Sequence, residues 1–143
     1  VDFQTNTDWW GSLGAAGFDA QAPAIVASTG VTMYLTKDTT ATTLRQLAAL
    51  ARGSTVAMTF LLPIDLVDDA DRPGLEMSTR GARASGTPFV SFYSPEEMLT
   101  MAGKAGFPSA HIVSSSALAD LYFDARPDGL RPSSGEDILV ARN

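Results

Sequence analysis

An open α/β sheet with helices on its faces is the fold class this sequence predicts, and three observations predict it. Short apolar runs, Ala24-Ile25-Val26-Ala27 and Val56 to Leu62, do not alternate in polarity and so read as strands inside a covered sheet. Each is followed or preceded by a stretch with helical spacing and a capping residue. Two helices stop in the same way, on Gly17-Phe18 and on Gly106-Phe107, a glycine with an apolar residue behind it.

The elements follow in order. Val1-Asp2-Phe3 reads as the tail of a strand, and Thr7-Asp8-Trp9-Trp10 opens a helix with Thr7 or Asp8 as its cap. Pro23 to Ser28 reads as a fully buried strand. Thr36 or Asp38 caps a second helix whose Leu44, Leu47, Ala48 and Ala51 share one face, and Gly53 ends it. Ser54 to Leu62 is the next strand. Pro63 to Tyr93 breaks the rhythm with prolines, glycines and charge, and reads as a lid-like insertion holding one short helix near Gly74 to Ala84. Ser94-Pro95-Glu96-Glu97 is a helix start, with Ser94 as cap, Pro95 in the first turn and Glu97 completing a capping box. Ala110 to Ser114 is a strand, Ser116 to Phe123 a short helix, and Asp137 to Ala141 a last strand. About four core strands result, mostly parallel, with one of the last two free to run antiparallel because no long helix joins them.

Composition bounds the function. The chain has 143 residues, 45% of them apolar and 18% charged, which suits one globular domain. A net charge of −6, with Lys37 and Lys104 the only lysines, argues against a nucleic-acid or anionic-membrane surface. The absence of cysteine removes disulfides, thiolate nucleophiles and iron–sulfur clusters, and fits a cytoplasmic protein. No apolar run approaches the ~20 residues of a membrane span. The single histidine, His111, lies in an apolar run and reads as structural, so no Ser-His-Asp triad and no metal site is expected. Asp68-Asp69-Ala70-Asp71 reads as a solvated acidic loop. The first residue, Val1, falls inside a strand end, and an upstream region is expected.

Five motifs carry a resemblance: Val1-Asp2-Phe3; Ser28-Thr29-Gly30-Val31-Thr32-Met33-Tyr34-Leu35; Ala57-Met58-Thr59-Phe60; Ser94-Pro95-Glu96-Glu97-Met98-Leu99 with Ala105-Gly106-Phe107; and Asp128-Gly129-Leu130-Arg131-Pro132. In this order they resemble the C-terminal half of a class I methyltransferase that uses S-adenosylmethionine, and more narrowly the leucine carboxyl methyltransferase-like family. The resemblance implies a Rossmann-like fold with residues 1–143 as its C-terminal part. It implies that Asp2 and Phe3 meet the adenine, the carboxylate accepting the exocyclic N–H and the ring giving a flat apolar contact. Thr29 and Gly30 match the turn that lines the pocket beside the sulfonium, and relatives often carry glutamate where Thr29 stands. The family's Gly-rich loop and strand-end acid would lie upstream of Val1.

Three further residues are substrate candidates. Tyr34 follows the cofactor turn, and Arg80 and Arg83 lie in the insertion at residues 63–93, where a guanidinium fork suits a carboxylate. The methyl acceptor is then a small molecule with a carboxylate or hydroxyl, and no catalytic base stands out. The competing reading is a non-catalytic α/β fragment. With the neighbouring strand missing, Ile25 and Val26 would form an apolar edge that pairs with the upstream half or a second copy, or aggregates. An unrelated doubly wound module would need an early Gly-rich or acidic phosphoacceptor loop, and none is present.

Overall fold

The computed structural model describes residues 9–143, so Val1-Asp2-Phe3 and the first helix cap lie outside the described residues. Helix α1 spans Trp9–Ala15, β1 Ile25–Ser28, α2 Lys37–Ala48, β2 Thr55–Leu61, α3 Arg72–Ala84, α4 Pro95–Ala105, β3 Ser109–Val113, α5 Ser115–Tyr122 and β4 Glu136–Arg142. Short 3-10 turns follow β1, at Thr32–Tyr34, and β2, at Ile64–Leu66.

The local chemistry accounts for the ends. Gly17 and Gly106 have φ of 92° and 106°, the left-handed region in which a Cβ is strained. In each case the following phenylalanine N–H reaches back five residues, Phe18 to the Leu13 carbonyl at 3.0 Å and Phe107 to Ala102 at 3.3 Å. These bonds satisfy carbonyls that the helix end leaves open. Thr36, not Asp38, caps α2, accepting the Thr39 N–H at 3.2 Å. That helix stops at Ala48, earlier than the expected Gly53, which instead forms the turn into β2. Ser94 caps α4 by accepting the Glu97 N–H at 3.1 Å. The capping box is only half made, because the Glu97 carboxylate turns to the Lys37 ammonium on α2. An ion pair between two helices has displaced a local contact. The helix of the insertion begins at Arg72, earlier than expected, since Pro73 sits in its first turn and lacks only a donor the helix does not need.

The sheet has the order β1-β2-β4-β3. Strands β1 and β2 are parallel, and β4 runs antiparallel to both β2 and β3. Three strands thus point one way and β4 returns between two of them. The first apolar run is not fully buried as expected. Among the described residues β1 is the sheet edge, its burial alternates, and Ile25 is 86% exposed. An apolar run alone does not say how many neighbours a strand has.

The core lies on one face. Val56, Met58, Phe60, Leu139 and Ala141 point from the sheet to Leu44 and Leu47 of α2 and to Met98 and Ala102 of α4, and all are buried. Buried Tyr93 stands edge-on to Phe60, donates its hydroxyl to Thr40 at 2.9 Å and carries Lys37 over its ring. The aromatic ring thereby ties the end of the insertion to α2.

Candidate functional site

Ligands of open α/β sheets bind beyond the carboxyl ends of the parallel strands. At that end of β1 the chain makes the turn Thr29-Gly30, both residues exposed. Gly30 has φ of 67°, and a Cβ there would meet nothing within 4 Å, so the space beside it is open. The turn is held from β2. The Gly30 N–H donates to the Thr59 hydroxyl at 2.9 Å, and the buried Thr32 hydroxyl donates to the Thr59 carbonyl at 2.8 Å. One threonine thus fixes both sides of the turn. Thr59 was visible in the sequence as the one polar residue in the run from Val56 to Leu62. Its role needs the β1–β2 pairing, which sets Ser28 beside Met58.

Tyr34 ends the 3-10 turn that follows and is 39% exposed. Its ring meets Phe89 edge-on at 5.4 Å. The segment after α3 runs against this turn, with the Val90 and Ser91 N–H groups both on the Met33 carbonyl and the Ser91 hydroxyl on Leu35. Tyr34 borders a groove of about 530 Å³ with Gly86, Thr87, Pro88 and Val90. The structure therefore joins the Thr29–Gly30 turn and the 3-10 turn after it to the far end of the 63–93 segment.

Arg80 borders a different groove, of about 510 Å³, with Pro63, Ile64, Leu75, Thr79 and Phe92. This groove opens beside the carboxyl end of β2 and carries the carboxylates of Asp65 and Glu76 as well. Arg80 is exposed and pairs loosely with Glu76, one helical turn away, at 3.7 Å. Arg83 is exposed and lines neither groove. Of the substrate candidates, then, Tyr34 and Arg80 face separate grooves and Arg83 stands apart. Asp2 and Phe3 lie outside the described residues. A third groove of about 600 Å³ runs between α1 and the end of α2, lined by Trp10, Phe18 and Leu50, at the opposite end of the sheet.

Two acids were not anticipated. Asp71 is not part of a solvated loop. Its carboxylate accepts both Arg131 N–H groups and the backbone N–H and hydroxyl of Ser134, which hold its pKa far below the usual carboxylate range. Asp137 is 4% exposed at the start of β4 and accepts the Ser115 N–H at 3.1 Å, and burial raises its pKa. An acid opening the apolar run Asp137-Ile138-Leu139-Val140-Ala141 was the signal in the sequence. His111 lies exposed on β3, which is the second sheet edge among the described residues. Among the described residues no three metal-ligating side chains come together, and no helix is long and apolar enough to cross a membrane.

Architecture and comparison agree on the class of fold, which this chain shares with solved methyltransferase structures. The full chain superposes on a DUF574 family protein from Streptomyces avermitilis with a TM-score of 0.67 at 16% identity, covering 53% of that protein. It superposes equally fully on a candidate methyltransferase from Thermobifida fusca, with a TM-score of 0.66 at 22% identity, covering 52% of it. An S-adenosylmethionine-dependent methyltransferase from Archaeoglobus fulgidus matches 92% of the chain at a TM-score of 0.54 and 10% identity, over 64% of its own length. Residues 1–48 match the family model of leucine carboxyl methyltransferase. That segment contains Asp2, Phe3, Thr29, Gly30 and Tyr34. No curated protein matches the chain. The chain is matched over its whole length by these two bacterial structures and spans about half of theirs.

Proposed function

We propose that this chain is the C-terminal half of an enzyme that transfers a methyl group from S-adenosylmethionine to a small carboxylate- or hydroxyl-bearing molecule, and that an N-terminal half completes the cofactor site. The observation that carries the reading is the Thr29–Gly30 turn, open to solvent at the carboxyl end of β1 and pinned by Thr59, in a chain whose first 48 residues match the leucine carboxyl methyltransferase model. The open side of Gly30 suits a ligand that must approach the backbone closely. The Gly30 N–H is already bonded, so the turn offers shape and the Thr29 hydroxyl more than a backbone donor.

When bound, the cofactor supplies a methyl group already activated on a sulfonium. The protein's work is to align the acceptor and keep water out. In this reading Asp2 accepts the adenine N–H, Phe3 packs on the ring, and Thr29 and Gly30 border the sulfonium side. The 63–93 segment acts as a lid. Tyr34, which borders the groove next to this turn, orients the acceptor. The cysteine-free composition supports a cytoplasmic setting. Calorimetric titration of S-adenosylmethionine tests the reading, using this chain and a form extended upstream. Binding by the longer form alone is the expected result, and binding by neither overturns it.

A second reading is favoured by one observation. Ile25 is 86% exposed on the edge strand β1. An apolar edge invites another strand, so the 143 residues alone would act as a non-catalytic fragment that pairs through it with the upstream half or a second copy.

A further inference from the structure

The groove between α1 and the end of α2, about 600 Å³, takes no part in the proposed chemistry. It falls in the size range of small-molecule sites, and it is lined as they are, by apolar and aromatic surface with few polar groups. Trp10 and Phe18 form one wall, their ring centroids 6.0 Å apart and their planes tilted by 34°. Trp9 stacks on Trp10 at 4.4 Å and donates its indole N–H to Gln46 of α2 at 2.7 Å, which fixes the pair against that helix. Gly14 lies one turn beyond Trp10 and lines the same groove. Glycine inside a helix is destabilising relative to alanine, and a Cβ at this position would meet nothing within 4 Å. Packing within the chain does not call for a glycine here; an open groove does. Arg45 is the one charged residue on the walls. It forms no ion pair among the described residues, although the chain carries a net charge of −6. Its guanidinium donates to the Thr42 hydroxyl at 2.9 Å.

We propose that this groove is a second small-molecule site and that it takes a planar aromatic carboxylate, with the ring against Trp10 and Phe18 over Gly14 and the carboxylate on Arg45. A guanidinium fork matches the two oxygens of a carboxylate, and the Thr42 hydroxyl, which accepts from Arg45, keeps its own proton to donate. Flat rings gain from offset or edge-on contact with the aromatic wall beyond what burial alone gives. The other ligand classes fit less well. A cation would meet the like charge of Arg45, and no carboxylate lines the groove to receive it. An uncharged ring would desolvate Arg45 without giving it a partner. The site is also remote from the cofactor turn. Ala20, at its edge, accepts the Ala51 N–H at 3.3 Å before the chain enters β1, whereas Thr29 and Gly30 follow the other end of that strand. Both sites can be filled at once, and the inference does not rest on the methyltransferase reading.

Calorimetric titration of naphthoate into the full product of the gene, at about pH 7 where both partners are charged, tests this. Saturable binding is expected, undiminished by saturating S-adenosylmethionine. Naphthyl methanol, the same ring without the charge, should bind about tenfold more weakly. Arg45→Gln should weaken naphthoate by a similar factor, about that of one lost charge-assisted contact, and leave the alcohol's affinity unchanged, which separates a lost contact from a disturbed fold. Gly14→Leu fills the groove while favouring the helix, so it should abolish binding and keep the helical circular dichroism. That variant carries the test if Arg45→Gln fails to fold. Absence of saturable binding overturns the proposal. So does equal affinity for acid and alcohol, or undiminished naphthoate binding by Arg45→Gln or Gly14→Leu. Displacement by S-adenosylmethionine does the same, since it would put the probe in the cofactor site. Failure of S-adenosylmethionine itself to bind would remove the methyltransferase reading and leave this site standing.

Discussion

Asp71 and Arg131, sixty residues apart, meet through two hydrogen bonds of 2.9 and 2.7 Å, the guanidinium fork closing on both carboxylate oxygens. Ser134 adds its N–H and hydroxyl to the same carboxylate, and its oxygen receives the Asp68 N–H. The start of α3 is thereby tied to the loop that enters β4. Arg72 adds a second tether, donating to the carbonyls of Ile64 and Val67. The insertion hangs from these bonds at one end and from the Met33 carbonyl at the other.

The Asp71 carboxyl is held well below its ordinary value of 3.8, first by the Arg131 side chain and then by Ser134. A lowered folded pKa contributes stability that is complete above the unfolded value and is lost as pH falls through the folded one. Asp71→Asn should therefore lower the melting temperature most at neutral pH, with the gap closing only below about pH 3.8. Melting curves from pH 2 to 8 decide it. A gap that stays constant across that range would assign the effect to packing instead.

Thr59→Val should loosen the Thr29–Gly30 turn. It removes the acceptor for the Gly30 N–H at a cost of about 0.5–1.5 kcal/mol. Gly30→Ala should cost about 1–2 kcal/mol, since its φ is left-handed. Denaturant titration reads both. If the methyltransferase reading holds, both changes weaken S-adenosylmethionine binding by the extended protein beyond what the lost stability explains.

Burial raises the Asp137 pKa, and the Ser115 N–H opposes the rise only in part. The folded carboxyl then keeps its proton to higher pH than the unfolded one, so stability falls as pH rises from about 3.8 through the raised value. Asp137→Asn keeps an acceptor for Ser115 and cannot ionise. Its stability should be flat through that window and match or exceed the parent at pH 7. An unchanged pH profile would show that the group is not desolvated in solution.

Ile25→Lys should reduce self-association of the 143-residue chain, because a charge on an edge strand discourages further pairing. Sedimentation velocity at increasing concentration checks this. Identical profiles for parent and variant would show that the β1 edge is not the contact.

Local chemistry was legible in the residues themselves. The Gly17-Phe18 and Gly106-Phe107 stops, the Ser94 cap and the β2 run all follow from conformational freedom, capping and side-chain shape within a few residues. The order of strands and helices, and with it the class of fold, followed from the same signals. The sites were legible only as positions: Thr29–Gly30 as a turn, Tyr34 as a residue just after it, Arg80 as one in the insertion. That Thr59 pins the turn, that Tyr34 and Arg80 face different grooves, and that Asp71 is locked to Arg131 depend on which strands and loops become neighbours. The resemblance had set Ile25 on an edge; tertiary structure alone decided that its side chain stays 86% exposed while Val56, with the same apolar character, is fully buried. The reason is physical. Backbone preference acts over a turn or two of chain, whereas burial, ion pairing and pKa are set by whatever folds alongside, and a short apolar run carries no record of how many strands lie next to it.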